Sequence, residues 1–219
     1  MDYMYKYKNR LQSNGGSLAN QIFNDSKIEF EENLSNPLFS QTVTVDGVQK
    51  QVSVSSTADP NKRRILFKEN DINWGDIVLH ESQQWLVTER PFFNRIHDKS
   101  KMTLCNNTLT FEVENEREII GYDDLYNPIY ADEATTTIVE FPCVIDNISN
   151  LKTPTGEKIN VPEGDMALFI SYTTNELINE ESVFQMFNND YRIVGIDKSG
   201  VLNEEGILML VAKRIAKSN

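Results

Sequence analysis

The sequence predicts a mainly β protein, with one or two small β-barrel or sandwich domains behind an N-terminal helical arm. Three observations predict it. From residue 41 onward apolar residues recur at every second position, as in Gln41-Thr42-Val43-Thr44-Val45 and Gln51-Val52-Ser53-Val54-Ser55; this period sends alternate side chains to opposite faces of a strand. The apolar runs are short and divided by turn formers such as Asp46-Gly47, a pattern typical of barrels and sandwiches. Before residue 41 the spacing is helical: Leu18, Ala19, Ile22 and Phe23 share one arc, which Phe30 and Leu34 extend.

The arm comprises residues 1–40. It opens with Tyr3, Tyr5 and Tyr7 interleaved with Lys6 and Lys8, then breaks at Asn14-Gly15-Gly16. A helix starts near Ser17, a residue suited to capping it, and Pro37 closes the segment. Ile28 falls off the apolar stripe, and Asn24-Asp25-Ser26 is a point of potential interruption. With little of its own to fold against, the arm is expected to reach a neighbouring subunit.

The first β-domain is assigned to residues 41–115. One hairpin turns at Asp46-Gly47, where glycine accepts positive φ at little cost. Residues 56–64 read as a polar, basic connector containing Lys62-Arg63-Arg64, and Ile65-Leu66-Phe67 begins the next strand. Ile77-Val78-Leu79 and Trp85-Leu86-Val87 flank a second hairpin, turning at Ser82 to Gln84. Further strands are expected at 101–106 and 109–113. Residues 116–134, rich in acids and turn formers, read as a loop or linker. The second β-domain, 135–219, has strands at 138–141, 144–145, 158–161, 166–172, 191–194 and 207–211, with a turn at Thr155-Gly156. Its pattern fits a divergent repeat of the first or convergent β patterning: Leu66-Phe67, Ile72-Asn73 and Trp85-Leu86-Val87 are echoed by Leu168-Phe169, Ile178-Asn179 and Tyr191-Arg192-Ile193-Val194.

Composition narrows the function. The 219 residues are 39% hydrophobic and 25% charged, enough to build a core. The longest apolar runs fall far short of the roughly 20 residues of a membrane-spanning helix. The first ten residues contain no apolar signal segment, so a cytoplasmic origin is expected. The net charge of -12 disfavours sequence-independent grip on DNA; it serves solubility, or lines something past which DNA must slide. Cys105 and Cys143 lie among strand formers and read as small buried hydrophobes.

No catalytic, cofactor-binding or metal-binding residues are assigned. The two histidines, His80 and His97, are too few for a histidine-rich metal site. His97-Asp98 near Ser100 lacks any nucleophile elbow. Asp123-Asp124 with Asp132-Glu133 lacks the fixed spacing of a calcium loop. Trp85 sits in an apolar strand and reads as core. The interaction candidates are Tyr3, Tyr5, Tyr7, Lys62, Arg63, Arg64 and Trp74. The tyrosines suit a wet interface. The basic triplet is open to phosphate, to an acidic neighbouring subunit, or to solvent alone. Trp74, beside a turn, is open to interface burial.

One stretch carries a resemblance. Ile72-Asn73-Trp74-Gly75-Asp76-Ile77-Val78, then Trp85-Leu86-Val87-Thr88-Glu89, then Met102-Thr103-Leu104-Cys105-Asn106-Asn107-Thr108-Leu109 resembles structural proteins of the neck, or head–tail connector, of tailed bacteriophages infecting low-GC Gram-positive bacteria. The resemblance covers about residues 65–112, with a weaker second copy at 165–212. It implies a ring-forming, non-enzymatic virion protein between portal and tail: an adaptor, a stopper or a tail completion protein, assembled in the host cytoplasm. Its implied partners are further copies of itself, portal or other neck proteins and tail proteins, with DNA only as transiting cargo and no membrane. A tail or baseplate component is the alternative, a carbohydrate-binding β-module at the tail tip the third reading, and a hydrolase the last.

Overall fold

The computed structural model describes residues 4, 7–8, 18–115, 117, 119–122, 125–130, 135–146 and 165–215. It divides into two compact units, residues 1–105 with 201–207, and residues 106–200 with 208–219. The expected capping Ser17, the break at Asn14-Gly15-Gly16, the strand at 158–161 and the turn at Thr155-Gly156 lie outside the described residues.

The first unit opens with a helix, α1 (Leu18–Leu34), unbroken by Asn24-Asp25-Ser26. Seven strands follow: β1 (Gln41–Val45), β2 (Val48–Ser56), β3 (Lys62–Phe67), β4 (Ile77–His80), β5 (Gln83–Val87), β6 (Phe92–Phe93) and β7 (Asp98–Leu104). Their order is β3-β2-β1-β4-β5-β7-β6, and β3 also pairs with β7. Six strands thereby close into a barrel, and the short β6 follows β5 along the same edge of β7, opposite β3. Closure satisfies both edges of every barrel strand. The core comprises Val43, Val45, Val52, Ile65, Phe67, Ile72, Val78, Trp85, Val87 and Met102, with Val54 and Leu104 packed against it. Trp85 lies opposite Leu104, and Val87 opposite Met102. Leu86, pointing to the other face, is fully buried as well.

The second sheet repeats this plan. Its barrel strands are β8 (Asn107–Glu114), β11 (Thr136–Asp146), β12 (Asp165–Ser171), β13 (Val183–Met186), β14 (Asn189–Asp197) and β16 (Glu205–Arg214). With the short β15 (Val201–Leu202), the order is β12-β11-β8-β13-β14-β16-β15, closed by β12 against β16. The topologies are the same, strand for strand. Phe184 is central here, stacked on Tyr191 at 5.8 Å and tilted against Phe111 at 6.0 Å.

The correspondence extends to single hydrogen bonds. Gly75 N donates to Val87 O, and Val87 N to Asp76 O; Glu181 N donates to Ile193 O, and Ile193 N to Ser182 O. Asp76 N to Asn73 O is matched by Ser182 N to Asn179 O. Trp85 therefore corresponds to Tyr191 and Ile72 to Ile178, as the sequence pattern suggests. Leu66 corresponds to Phe169, one residue later than expected: Ser53 pairs with Leu66 where Val144 pairs with Phe169, and this register buries Ile65 and Leu168 alike.

Several sequence boundaries shift. Lys62-Arg63-Arg64 belongs to β3, because pairing with β7 begins at Lys62 and Thr103. The second hairpin turns at Glu81-Ser82, both with positive φ, so Gln83 and Gln84 lie in β5. The first unit ends at Cys105 rather than at 115, because β8 pairs with β11 and β13. The acidic stretch is not a plain linker: it contains a hairpin, β9 (Ile119–Tyr122) with β10 (Pro128–Tyr130).

One glycine is fixed by geometry. Gly75 has a φ of +89°, and a Cβ there would fall on the carbonyl of Gly206 in the same unit. Gly75→Ala should therefore cost at least about 1 kcal/mol from backbone strain alone. Urea unfolding of the full chain measures it; an unchanged midpoint would show that the loop yields freely.

Candidate interaction surfaces

The arm does fold against something. The ring of Phe30 stacks on His97 with centroids 4.5 Å apart. The Arg95 guanidinium sits over Phe23 at 5.3 Å. Lys27 Nζ lies 3.2 Å from Glu69 Oε2, and Leu34 is buried. The helical part of the arm thus packs on its own barrel, contrary to the expectation that it has little of its own to fold against. The reason is the β6–β7 turn, which presents Arg95 and His97 to the helix face carrying Phe23 and Phe30; sequence spacing does not show that meeting. Ile28, off the stripe, is exposed as its position suggests, and so is Ile22.

Burial, and secondarily the charge of Lys99, lowers the pKa of His97, with Asp98 opposing. A depressed histidine pKa contributes stability above its unfolded value that is lost as pH falls through the folded value. The contact between α1 and His97 should therefore loosen below about pH 6.5. Protection factors of the α1 amides, referred to the intrinsic exchange rate at each pH, should fall in wild type on acidification, and much less in His97→Phe.

The sequence candidates fall in different places. Tyr3 and Tyr5 lie outside the described residues, and Tyr7 is exposed. Trp74 is half-buried; its indole N–H donates to Thr88 O at 3.3 Å, and it lines a cleft of about 240 Å³ with Asn70, Asn73, Arg90 and Phe93. Arg63 is committed within its own barrel, its guanidinium 5.3 Å from the Trp85 ring and donating to Pro60 O at 3.1 Å. Lys62 and Arg64 are exposed on the outer face of β3.

That face forms a basic stripe. Antiparallel pairing sets Arg64 directly opposite Lys101, and Leu66 opposite Lys99. Like charges opposite one another in a sheet are destabilising, so the Arg64–Lys101 pair is a local cost. Lys101 meets Glu89 at 2.5 Å and Lys62 meets Asp59 at 3.6 Å. Lys99 lies 5.1 Å from the ring centroid of Phe92, which is 59% exposed.

The feature missed in sequence is the arm carried by the second unit. In the first barrel β1 and β2 are joined by two residues, Asp46-Gly47, between paired Val45 and Val48. At the equivalent place β8 and β11 are joined by the whole stretch 115–135, between paired Glu114 and Thr136. Its hairpin exposes Ile119, Ile120, Tyr122, Ile129 and Tyr130, with Leu125 and Tyr126 at its turn 81% and 88% exposed; Ile138 on β11 is exposed beside its root. Such a cluster goes beyond the scattered single apolar residues of ordinary surface composition. Tyrosine with isoleucine also matches the make-up of protein interfaces.

Neither cysteine forms a disulfide. Cys143 is buried as expected and Cys105 is half-buried; burial pushes the Cys105 thiol up to about 12, which suppresses its thiolate chemistry. His80 is buried, with Nε2 against the Gln41 side chain. Among the described residues, no group of three or more His, Cys, Asp and Glu side chains is placed to hold a metal ion, and no helix is long and apolar enough to cross a membrane.

Comparison with known proteins gives one family. A model described as the YomX C-terminal domain matches residues 69–213, and one described as the YomX N-terminal domain matches residues 13–104. The SPbeta prophage-derived uncharacterized protein YomX of Bacillus subtilis (strain 168) is 28% identical over 208 residues, covering 90% of this chain and 93% of that protein. A solved structure, MrkH, described as a novel c-di-GMP dependence transcription regulatory factor, aligns over 90% of this chain and 84% of its own at 8% identity. Its TM-score of 0.20 carries no argument about fold or function.

Proposed function

The chain belongs to the YomX family, and from that membership we propose that it is a non-enzymatic structural protein of a tailed phage: a ring-forming connector, whether adaptor, stopper or tail completion protein, between portal and tail. A phage origin is supported by the family match together with the prophage-derived relative. The observation that carries the structural role is the apolar hairpin arm. Among the described residues, the two closed barrels leave no unpaired barrel edge to recruit a partner. The second barrel nevertheless extends a hairpin studded with isoleucine and tyrosine. Keeping that much apolar surface in water is unfavourable, and a partner that covers it removes the cost.

In this reading the partners are other copies of the chain, portal or other neck proteins, and tail proteins. DNA passes as cargo, repelled by a chain of net charge -12. Assembly takes place in the host cytoplasm and the product resides in the virion. Negative-stain imaging of virions labelled with an antibody to this chain tests the assignment. Label at the head–tail junction is the expected result. Label at the distal tail would move the protein to the baseplate, and unlabelled virions would remove it from the particle.

A further inference from the structure

We propose that the hairpin arm of one copy docks on the β3–β7 face of a second copy, making a head-to-tail contact between identical chains. The inference rests on the assembly reading above and names the partner of the arm.

The two surfaces are complementary in charge and matched in apolar groups. Residues 112–134, the arm and its root, contain eight acids (Glu112, Glu114, Glu116, Glu118, Asp123, Asp124, Asp132 and Glu133) against one cation, Arg117. In a chain already at -12, a partner for that segment must offer positive charge. The outer face of β3 and β7 does so with Lys62, Arg64, Lys99 and Lys101, tempered by Asp59 and Glu89. Arg64 and Lys101 face each other across the strands; Glu89 answers Lys101, and Arg64 beside it is exposed to a partner's carboxylate, a charge-assisted contact that would relieve the like-charge pair.

Apolar groups lie where they are needed. Exposed Phe92 and half-buried Leu66 flank the cations, and the arm brings isoleucine and tyrosine among its acids. Arginine and lysine also favour tyrosine faces. At the turn of the arm Tyr126 is exposed. The two surfaces are different patches, so the contact is heterologous and closes into a ring if its rotation divides a full turn. Nucleic acid would find the same cations, but would leave the arm uncovered.

The test uses the full chain and charge reversal. Wild type should self-associate in sedimentation velocity, more weakly as salt is raised. Arg64→Glu with Lys101→Glu should weaken association at least tenfold, and so should lysine at Glu112, Glu114, Glu116 and Glu118. Mixing the two reversed proteins should restore association to within a few-fold. Arg64→Gln with Lys101→Gln, which only removes charge, should fall between; circular dichroism checks that each variant folds. Self-association unaffected by either reversal would overturn the proposed contact while leaving the assembly reading intact. A wild type that stays monomeric even under cross-linking would assign the arm to a different protein. Retention of duplex DNA by wild type, lost on stripe reversal without any self-association, would assign the stripe to nucleic acid instead.

Discussion

Trp85→Ala should unfold the first barrel at markedly lower denaturant than wild type, at a cost of about 3–5 kcal/mol. Trp85 is 2% exposed. It packs in a cluster drawn from β1, β2, β3, β4, β5 and β7 together with Ile72. Deleting the indole therefore opens a void touched by most of the barrel strands, and a closed barrel relaxes poorly around a void. Trp85→Phe should lose much less, since it retains a ring and removes an indole N–H that is buried without a hydrogen-bond partner. Urea unfolding followed by far-ultraviolet circular dichroism measures both. A near-zero change for the alanine variant would place Trp85 outside the core and reopen a ligand-stacking role.

Replacing residues 116–134 by Asn-Gly should leave stability within about 0.5 kcal/mol of wild type and abolish assembly. Asn115 N donates to Thr135 O at 2.8 Å, so these two residues face each other as a hydrogen-bonded pair, the kind that a two-residue turn closes, as Asp46-Gly47 does between Val45 and Val48. A two-residue turn of the same kind therefore fits the gap without moving either strand. The variant separates the two roles of this segment: if it merely connects strands, everything survives, and if it binds, only assembly fails. Thermal unfolding and analytical ultracentrifugation on the same sample distinguish these outcomes.

How far the fold was legible follows from which contacts are local. Asp46-Gly47 and its flanking alternation identify a hairpin because turn chemistry and strand period lie within about a dozen residues. The repeat shows in Ile72-Asn73 and Ile178-Asn179 because each pair stands the same distance before its aromatic strand. Closure of β3 on β7 brings together residues such as Lys62 and Thr103, and no local pattern encodes that. The basic triplet consequently reads as a connector when it is the start of a strand. The arm escaped notice for a different reason. Its strands are four and three residues long, set among acids and turn formers that outweigh them in any window. Exposure hides it too, since a strand with apolar residues on both faces lacks the two-residue alternation by which a half-buried strand is recognised.

In the proposed role this chain joins copies and neighbours in a phage neck through the hairpin arm. Particles made by a phage carrying the Asn-Gly replacement test it most directly, counted by negative-stain electron microscopy against wild type. The account predicts that full-length tailed, DNA-filled particles fall to a few per cent of wild type or less, with unjoined heads and tails accumulating, and that a wild-type copy supplied in trans restores them. Complete, DNA-retaining, tailed particles at the normal yield would contradict it.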